Sequence, residues 1–397
     1  MLTRGTSYGR GESSARRSVL AICALLLVGG AGSAFEVDRC IEGGSAVVSE
    51  YVGEVQIIKR LASGSSGRAL AQGDFDSDGV SDLAVLVSTS SDGVVVVHRG
   101  NVDAIFPNTL EAKARRLGGD GKVAEFVAPA RVFATVAKAN LLFAGDFNAD
   151  GRLDLLVAAI GRDQLHLHSG DGKGTFSPAT VIRLPGKLTA LTSGEVNRRD
   201  GLADVVAAVK TANGSQLLVF QDPAGALTRP PGVLGFQGVV ADLSLGELDG
   251  IPGVDLAILE RSNVFVLHGR SRAHASEHAI SSLTGPIRLP FPVSTMVVGD
   301  FVNNASSHGE IAVLSTEGAV HLVNYSVGSE GGKQRSSEPF DDHDWKGLEE
   351  RNWWLSREIA GLGNSRKTVD GGFPRVRFLG GSNGDLMIVD DNTGSLH

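Results

Sequence analysis

Apolar residues in this chain fall into short runs, separated by segments rich in glycine, serine and aspartate. The clearest runs cover residues 83–87, 94–97 and 155–159, and a Ser or Gly lies close to one end of each. A helix usually needs roughly 10–12 residues of periodic pattern, so runs this short favour buried β-strands. The pattern therefore predicts an all-β protein.

The strand-like runs recur in a fixed order. One apolar strand enters an acidic loop, a second leaves the loop, and a third and a less regular fourth follow. The loops begin at residues 74, 146, 195, 247 and 300, so the later steps are 49, 52 and 53 residues and the first is 72. Four short strands per repeat, with many glycines, are typical of β-propeller blades. We expect about six four-stranded blades, and seven are also compatible with the spacing.

Two of the loops share the pattern D-x-[D/N]-x-D-G-x-x-D. Two carboxylates about 4 Å apart repel by roughly 4 kcal/mol at an effective dielectric constant of about 20, and a divalent cation reverses that energy. Calcium accepts ~6–8 oxygen ligands in irregular geometry and therefore suits such a loop. The predicted ligands are Asp74, Asp76, Asp78, Val80 (carbonyl) and Asp82 in the first loop, and Asp146, Asn148, Asp150, Arg152 (carbonyl) and Asp154 in the second.

The loops differ from EF-hands, which need an acidic residue at position 12 and a helix on each side. Position 12 is Val85 in one loop and Val157 in the other, and both lie in strand-like runs. A solvated acidic turn without an ion is the alternative interpretation. The fourth loop is a weaker metal candidate, with acidic residues at Glu247, Asp249 and Asp255. The loops at 195 and 300 depart further from the pattern.

The repeats resemble FG-GAP/VCBS repeats, the blade type of integrin-α-like propellers. The resemblance rests on the loop and strand at 145–158 and on the glycine-rich hairpin at 168–176. It covers about 54–325, and more faintly 374–397. It implies a propeller that binds calcium between the first and second strands of some blades.

The N-terminus has the layout of a signal peptide. Two arginines at 16–17 precede an apolar run at 19–28, and small residues end at Ala34. The run is too short to favour a membrane span. We expect residues 1–34 to be a signal peptide, by the Sec or the twin-arginine route. The mature chain would be secreted, periplasmic or at the cell surface, without a transmembrane anchor.

Removing residues 1–34 leaves 33 basic and 44 acidic residues, a net charge of −11. This charge argues against nucleic-acid binding, which needs basic surfaces. The predicted organisation is an N-terminal segment at 35–53 and a propeller at 54–397, with insertions at 106–140 and 329–372. The strand-like run at 54–61 could complete the last blade. The second insertion contains all three tryptophans, and its periodicity predicts a short helix over 345–359.

A zinc-peptidase-like string, H-x-x-E-H, occurs at 274–278. It lies between a third and a fourth strand, where we expect a surface turn and no catalysis. His98, His168 and His268 are predicted to end equivalent third strands and to point outward. We therefore expect a non-catalytic, calcium-binding module for a protein or glycan ligand. A secreted glycan lyase or hydrolase on a propeller scaffold is the alternative.

Overall fold

A computed structural model describes residues 35–36, 48–49, 51–52, 66–88, 91–117, 124–196, 200–249, 253–269, 283–301, 309–325, 345–347, 353–356, 360–361, 376–380, 386–390 and 395–396. Several predicted features lie outside the described residues. They are the signal peptide at 1–34, the strand at 54–61 and the H-x-x-E-H string at 274–278.

The described chain is almost entirely β-structure. Two short helices, α1 (Val102–Ile105) and α2 (Leu110–Leu117), and one 3-10 turn (Ala226–Thr228) are also present. The strands are β1 (Phe35–Glu36), β2 (Val48–Ser49), β3 (Tyr51–Val52), β4 (Ser66–Gly73), β5 (Asp82–Ser88), β6 (Gly93–Gly100), β7 (Phe126–Thr135), β8 (Leu141–Gly145), β9 (Asp154–Ala158), β10 (Gln164–His168), β11 (Thr180–Arg183), β12 (Lys187–Gly194), β13 (Asp204–Thr211), β14 (Gly214–Phe220), β15 (Gly232–Phe236), β16 (Asp242–Gly246), β17 (Asp255–Glu260), β18 (Asn263–Leu267), β19 (Leu283–Arg288), β20 (Val293–Gly299), β21 (Glu310–Ser315), β22 (Ala319–Tyr325), β23 (Trp345–Gly347), β24 (Trp353–Ser356), β25 (Ala360–Gly361), β26 (Val376–Gly380), β27 (Leu386–Asp390) and β28 (Ser395–Leu396).

Consecutive strands form successive antiparallel sheets, as predicted. The first four sheets are β4–β7, β8–β11, β12–β15 and β16–β19; the fifth contains β20, β21, β22, β24 and β23, with β25 also paired to β22, and the sixth contains β26–β28. The short β3 joins the edge of the first sheet in parallel with β7. The first strands of consecutive sheets contact one another, from β4 through β8, β12, β16 and β20 to β26. This repetition is the architecture of a β-propeller, and it puts the loops that follow the first strands on one edge.

The second strands β5, β9, β13, β17 and β21 are buried on both faces, which explains their continuous apolar runs. Alternate residues point to opposite sides. Leu155 packs with Leu86 of the preceding sheet, whereas Leu156 packs with Val205 of the following sheet. The hydrophobic core of the described residues therefore lies between the sheets, and β5, β9, β13 and β17 each join two of its clusters.

The predicted helix near the C-terminus is wrong for the described residues of that segment. Trp345–Gly347 and Trp353–Ser356 are strands β23 and β24. β24 pairs with β22, with Val323 opposite Leu355, and thereby supplies the fifth sheet with its fourth strand. Leu355 is buried in the core between the fourth and fifth sheets. The local spacing of Leu348, Leu355 and Ile359 resembled a helix, but pairing with a distant strand decides the conformation.

The insertion predicted at 106–140 contains the short helix α2. Arg115 of α2 forms an ion pair with Asp103 of α1, with a carboxylate–guanidinium distance of 2.5 Å. The fourth strand β7 begins at Phe126, however, so much of the segment belongs to the first sheet. No helix in the described part of the chain has the length and apolar character that crossing a membrane requires.

Candidate metal-binding loops

The first loop, residues 74–82, and the second loop, residues 146–154, have the same backbone conformation. Position 4 is left-handed in both, with φ of 61° at Ser77 and 60° at Ala149. Position 6 is the glycine of the shared sequence pattern. Gly79 and Gly151 are left-handed there, with φ of 84° and 79°. The aromatic residue at position 2 is fully buried in each loop and anchors it to the core.

In the first loop, carboxylates fold back on the loop's own amides. Asp74 accepts hydrogen bonds from the N–H groups of Asp78 and Gly79 at 3.1 and 2.9 Å, and Asp78 accepts from Val80 at 2.8 Å. Oxygen atoms of Asp74, Asp76 and Asp78 lie within 4.8 Å of one another, close enough to share one metal ion. Burial and the neighbouring carboxylate of Asp78 raise the pKa of Asp76. Such mutual repulsion is what a bound cation relieves.

Position 9 holds the loop closed. Asp82 accepts hydrogen bonds from Phe75 N–H and Gly100 N–H at 2.9 and 2.8 Å, and burial raises its pKa to about 6. The second loop repeats this arrangement around Asp154, whose pKa burial also raises to about 6.

The same hydrogen bond, which we call the latch, is present in the first five sheets, where loop position 2 and the acid that begins the second strand are described. In each, the acid that begins the second strand accepts a hydrogen bond from the N–H at loop position 2. The latch persists where the other predicted ligands are missing. Loop closure is therefore a role of this carboxylate that does not depend on metal binding, and the ligand role predicted for Asp82 and Asp154 stays a prediction.

The second loop collects oxygens around the amide of Asn148. Its Nδ2 lies 3.3 Å from Asp150 Oδ2, 3.4 Å from Asp154 Oδ1 and 3.3 Å from Ser169 Oγ. Three oxygens thus converge on one donor group, and the same convergence suits a cation. Arg152 lies at the rim, 3.8 Å from Asp150, and both side chains are partly exposed. The carbonyl ligands predicted at Val80 and Arg152 also stay predictions.

Sequence reasoning missed a residue that faces loop position 3 in three sheets. It lies at the end of the third strand, directly before the glycine whose N–H also donates to the acid of the latch (Gly100, Gly170 or Gly269). We call this residue's neighbour the latch glycine. Arg99 lies 3.8 Å from Asp76, Ser169 lies 3.3 Å from Asn148, and His268 lies 2.9 Å from Asp249. The signal was available in the sequence as the residue before each such glycine. The acidic-loop pattern does not include this residue, because it lies at the end of the third strand and not in the loop.

The predicted equivalence of three histidines is therefore wrong for one of them. His98 and His168 lie opposite Leu83 and Leu155 in the register of their sheets. The residue that occupies this position in the fourth sheet is Leu267, opposite Leu256. His268 comes one residue later, so its side chain faces the fourth loop instead of the position that His98 and His168 share.

The fourth loop forms a second cluster, in which Asp249, Asp255 and His268 have ligand-type atoms within 4.8 Å of one another. Asp255 is 1% exposed and accepts the latch hydrogen bonds from Leu248 and Gly269. The carboxylates of Asp255 and Asp249 raise the pKa of His268. Glu247, the third predicted ligand here, accepts a hydrogen bond through its carbonyl from Gly309 N–H at 2.7 Å. It does not belong to the cluster.

Turns of the following sheet cover the first and second loops. Gly174 of the second sheet donates its N–H to Phe75 O at 2.8 Å, and a Cβ on Gly174 would lie 3.5 Å from Asp76 Cβ. Gly225 of the third sheet, with φ of 106°, approaches the second loop so closely that a Cβ would lie 2.7 Å from Phe147 O. One side of each loop is therefore covered by the following sheet, whereas the loop tips at 77–79 and 149–152 are exposed to solvent.

Comparisons with known proteins give one family match and several similar solved structures. Residues 146–207 match the family model described as FG-GAP-like repeat, which confirms the predicted resemblance. No curated protein sequence matches the chain significantly. Similar solved structures include BBS1N in complex with ARL6DN (14% identity, 74% of this chain and 71% of that chain covered, TM-score 0.39). They also include the Dos1 propeller (10% identity, 74% and 62% covered, TM-score 0.38).

Proposed function

We propose that this FG-GAP repeat β-propeller protein is an exported interaction module whose first and second loops bind calcium. The propeller architecture with FG-GAP repeats suggests an interaction module. The observation that carries the calcium proposal is the convergence of Asp74, Asp76 and Asp78 within 4.8 Å of one another. Without a cation, this cluster brings three negative charges together between two sheets.

Calcium fits these loops better than magnesium. Magnesium requires near-ideal octahedral geometry and retains its waters, whereas calcium accepts irregular oxygen sets. The donors in both loops are oxygens of carboxylates, an amide and backbone carbonyls, all attached to a tightly turned backbone. A site of this kind would fill at the millimolar calcium of extracellular fluids even with a Kd of about 10⁻⁴–10⁻³ M.

The calcium proposal is tested by unfolding the protein in calcium and in EGTA. At 10 mM calcium and a Kd of about 10⁻⁴–10⁻³ M, each occupied site should add roughly 1.5–3 kcal/mol to the free energy of unfolding. Asp150→Ala and Asp78→Ala should each lower the calcium stoichiometry by about one ion in elemental analysis. Asp163→Ala, on the exposed turn between β9 and β10, is the matched control and should leave it unchanged. Identical unfolding curves with and without calcium would contradict the proposal.

We infer that the partner is a protein or a glycan. The mature net charge of −11 disfavours nucleic acid. The partner class is tested by a glycan array and by cross-linking capture from extracellular material, each with calcium-loaded protein. The double variant Asp78→Ala/Asp150→Ala is the control. Retention of binding in this variant would show that the ions stabilise the fold only.

A glycan lyase or hydrolase remains the second candidate function. It predicts a convergent pair of acids or histidines at the propeller axis. In the described part of the chain, two clusters with metal-ligand spacing lie in the loops between first and second strands. Turnover of a glycan captured on the array would support the enzyme.

Export is proposed from the N-terminal sequence alone. Cleavage after Ala34 would begin the mature chain at Phe35. N-terminal sequencing of protein recovered outside the cytoplasm tests this, and an intact Met1 there would contradict it.

A further inference from the structure

The fourth loop differs from the first two in the chemistry of its donors. It has lost the acidic residue at position 5, where the sequence has Ile251. It has gained an imidazole, because His268 lies against Asp249 and Asp255. The cluster therefore combines two carboxylates with one nitrogen donor.

Contacts on both sides of the ring fix the orientation of His268. Its Nε2 lies 3.0 Å from Thr284 Oγ1, on the neighbouring strand β19. Its Nδ1 therefore faces the two acids, 2.9 Å from Asp249 Oδ2 and 3.5 Å from Asp255 Oδ1. If Nε2 donates its proton to the threonine hydroxyl, Nδ1 presents a lone pair to both carboxylates. Metal-binding histidines are commonly oriented in this way by a hydrogen bond at the other ring nitrogen.

The Nδ1 atom of His268 faces both acids at short range, and it is completely buried. The Asp249 and His268 side chains are 8% and 12% exposed. The ligand-type atoms of the three residues lie within 4.8 Å of one another, close enough to bind one ion.

Comparison of the sheets supports the same centre independently. The residue before the latch glycine faces loop position 3 in the first, second and fourth sheets. In the first sheet this residue is a cation, Arg99, close to Asp76. In the second it is a neutral hydroxyl, Ser169, close to Asn148. In the fourth sheet it is His268, whose imidazole places a nitrogen donor against loop position 3.

We propose that Asp249, Asp255 and His268 bind a divalent transition-metal ion of the zinc class. Calcium prefers oxygen donors, whereas imidazole suits zinc, copper, iron and nickel. Three protein ligands leave one position of a tetrahedral site for water or for a group from a partner. Thr284 is a positioning residue, since it holds the ring through Nε2. The site does not depend on calcium binding at the first two loops.

The test uses zinc alone, added to the full chain after chelation, and titration calorimetry. Wild-type protein should bind one zinc ion more than His268→Gln. Asp249→Asn should lose the same ion. Thr284→Val should weaken this binding about 10–100-fold, as the loss of an orienting partner usually does. The control is His166→Gln, which removes a half-buried histidine of the second sheet and should leave zinc binding unchanged.

Cobalt(II) absorption of the wild-type protein keeps the proposal testable if the variants fail to fold. A tetrahedral site with a nitrogen ligand should give intense visible bands that zinc removes. Equal zinc stoichiometry in wild-type and His268→Gln protein would overturn the proposal. So would the weak spectrum of an octahedral, all-oxygen cobalt site. Calcium stoichiometry should be the same in wild-type and His268→Gln protein, so failure of this site is distinguishable from failure of the calcium sites.

Discussion

The first and second loops are almost alike in sequence and backbone, but the neighbouring sheets give them different surroundings. The first loop has four aspartates and also contacts the guanidinium of Arg99. The second has three aspartates and an asparagine, and contacts the hydroxyl of Ser169 instead. The first therefore carries more negative charge but also a fixed cation beside position 3. We therefore expect that the number of acidic residues in a loop does not by itself rank the calcium affinity proposed for it.

The covers of the two loops also differ. Gly174, over the first loop, approaches side chains that can move, since a Cβ there would lie 3.2 Å from a terminal nitrogen of Arg131. Gly225, over the second loop, approaches backbone atoms, which cannot move aside in this way. The second loop is consequently the more rigidly held of the two.

The largest expected effect is that of Gly225→Ala. The new Cβ would lie 2.7 Å from Asn148 Cα at a residue whose φ is 106°. Overpacking and backbone strain should together cost about 3–5 kcal/mol in the free energy of unfolding. The variant should also lose calcium at the second loop but keep it at the first.

Gly214→Ala is the control for that experiment. Its φ is 118°, but a Cβ would meet nothing within 4 Å, so we expect a loss of only about 1–2 kcal/mol from strain. Equal losses in the two variants would mean that the close approach of Gly225 to the second loop is unimportant.

The second prediction concerns pH and the equivalent histidines of the first two sheets. Burial lowers the pKa of His98 to about 4, whereas the unfolded value is about 6.5. The unfolded chain then binds a proton between these values and the folded protein does not. The stability that His98 contributes is complete above pH 6.5 and should fall by about 2–3 kcal/mol as the pH drops toward 4.

Chemical denaturation at several pH values measures this loss, and the difference between wild-type and His98→Phe protein isolates it. The substitution leaves Asp82 and Asp154 in place. Their raised pKa values therefore affect the pH dependence of stability of both proteins and cancel in the difference. His168→Phe should give a smaller difference, because the Ser177 carbonyl partly offsets the effect of burial on the pKa of His168. Equal pH dependence of His98→Phe and wild-type protein would contradict the prediction.

The smallest expected effect comes from exchanging the residues that face loop position 3. Arg99→Ser should tighten calcium binding at the first loop about three- to tenfold, since it removes a partly exposed cation whose effect solvent screens to about 1 kcal/mol. Ser169→Arg should weaken the second loop by a similar factor. Each is measured by calorimetry with the other loop disabled by Asp150→Ala or Asp78→Ala. A change in the same direction at both loops would reject this account.

The sequence predicted what local spacing determines. The apolar second strands and the order of strands within each repeat are present in the structure. These features depend on neighbouring residues and on burial, which the hydrophobic pattern reports directly.

Features that depend on distant residues could not be predicted in this way. β24 is a strand because it pairs with β22, not because of its own periodicity. The contacts of Arg99, Ser169 and His268 with the loops depend on strand register, and a shift of one residue reverses the face of a side chain. That shift separates His268 from His98 and His168.

The covering of the first and second loops by the following sheet gives these contacts a direction along the chain. The second loop contacts the turn around Gly225, but nothing in that contact requires the first sheet. Removing the third sheet would thus uncover the second loop, whereas removing the first sheet would leave it covered. During synthesis, each of these two loops would be covered only after the following sheet has emerged from the ribosome, so the calcium binding proposed for it would be completed one repeat later.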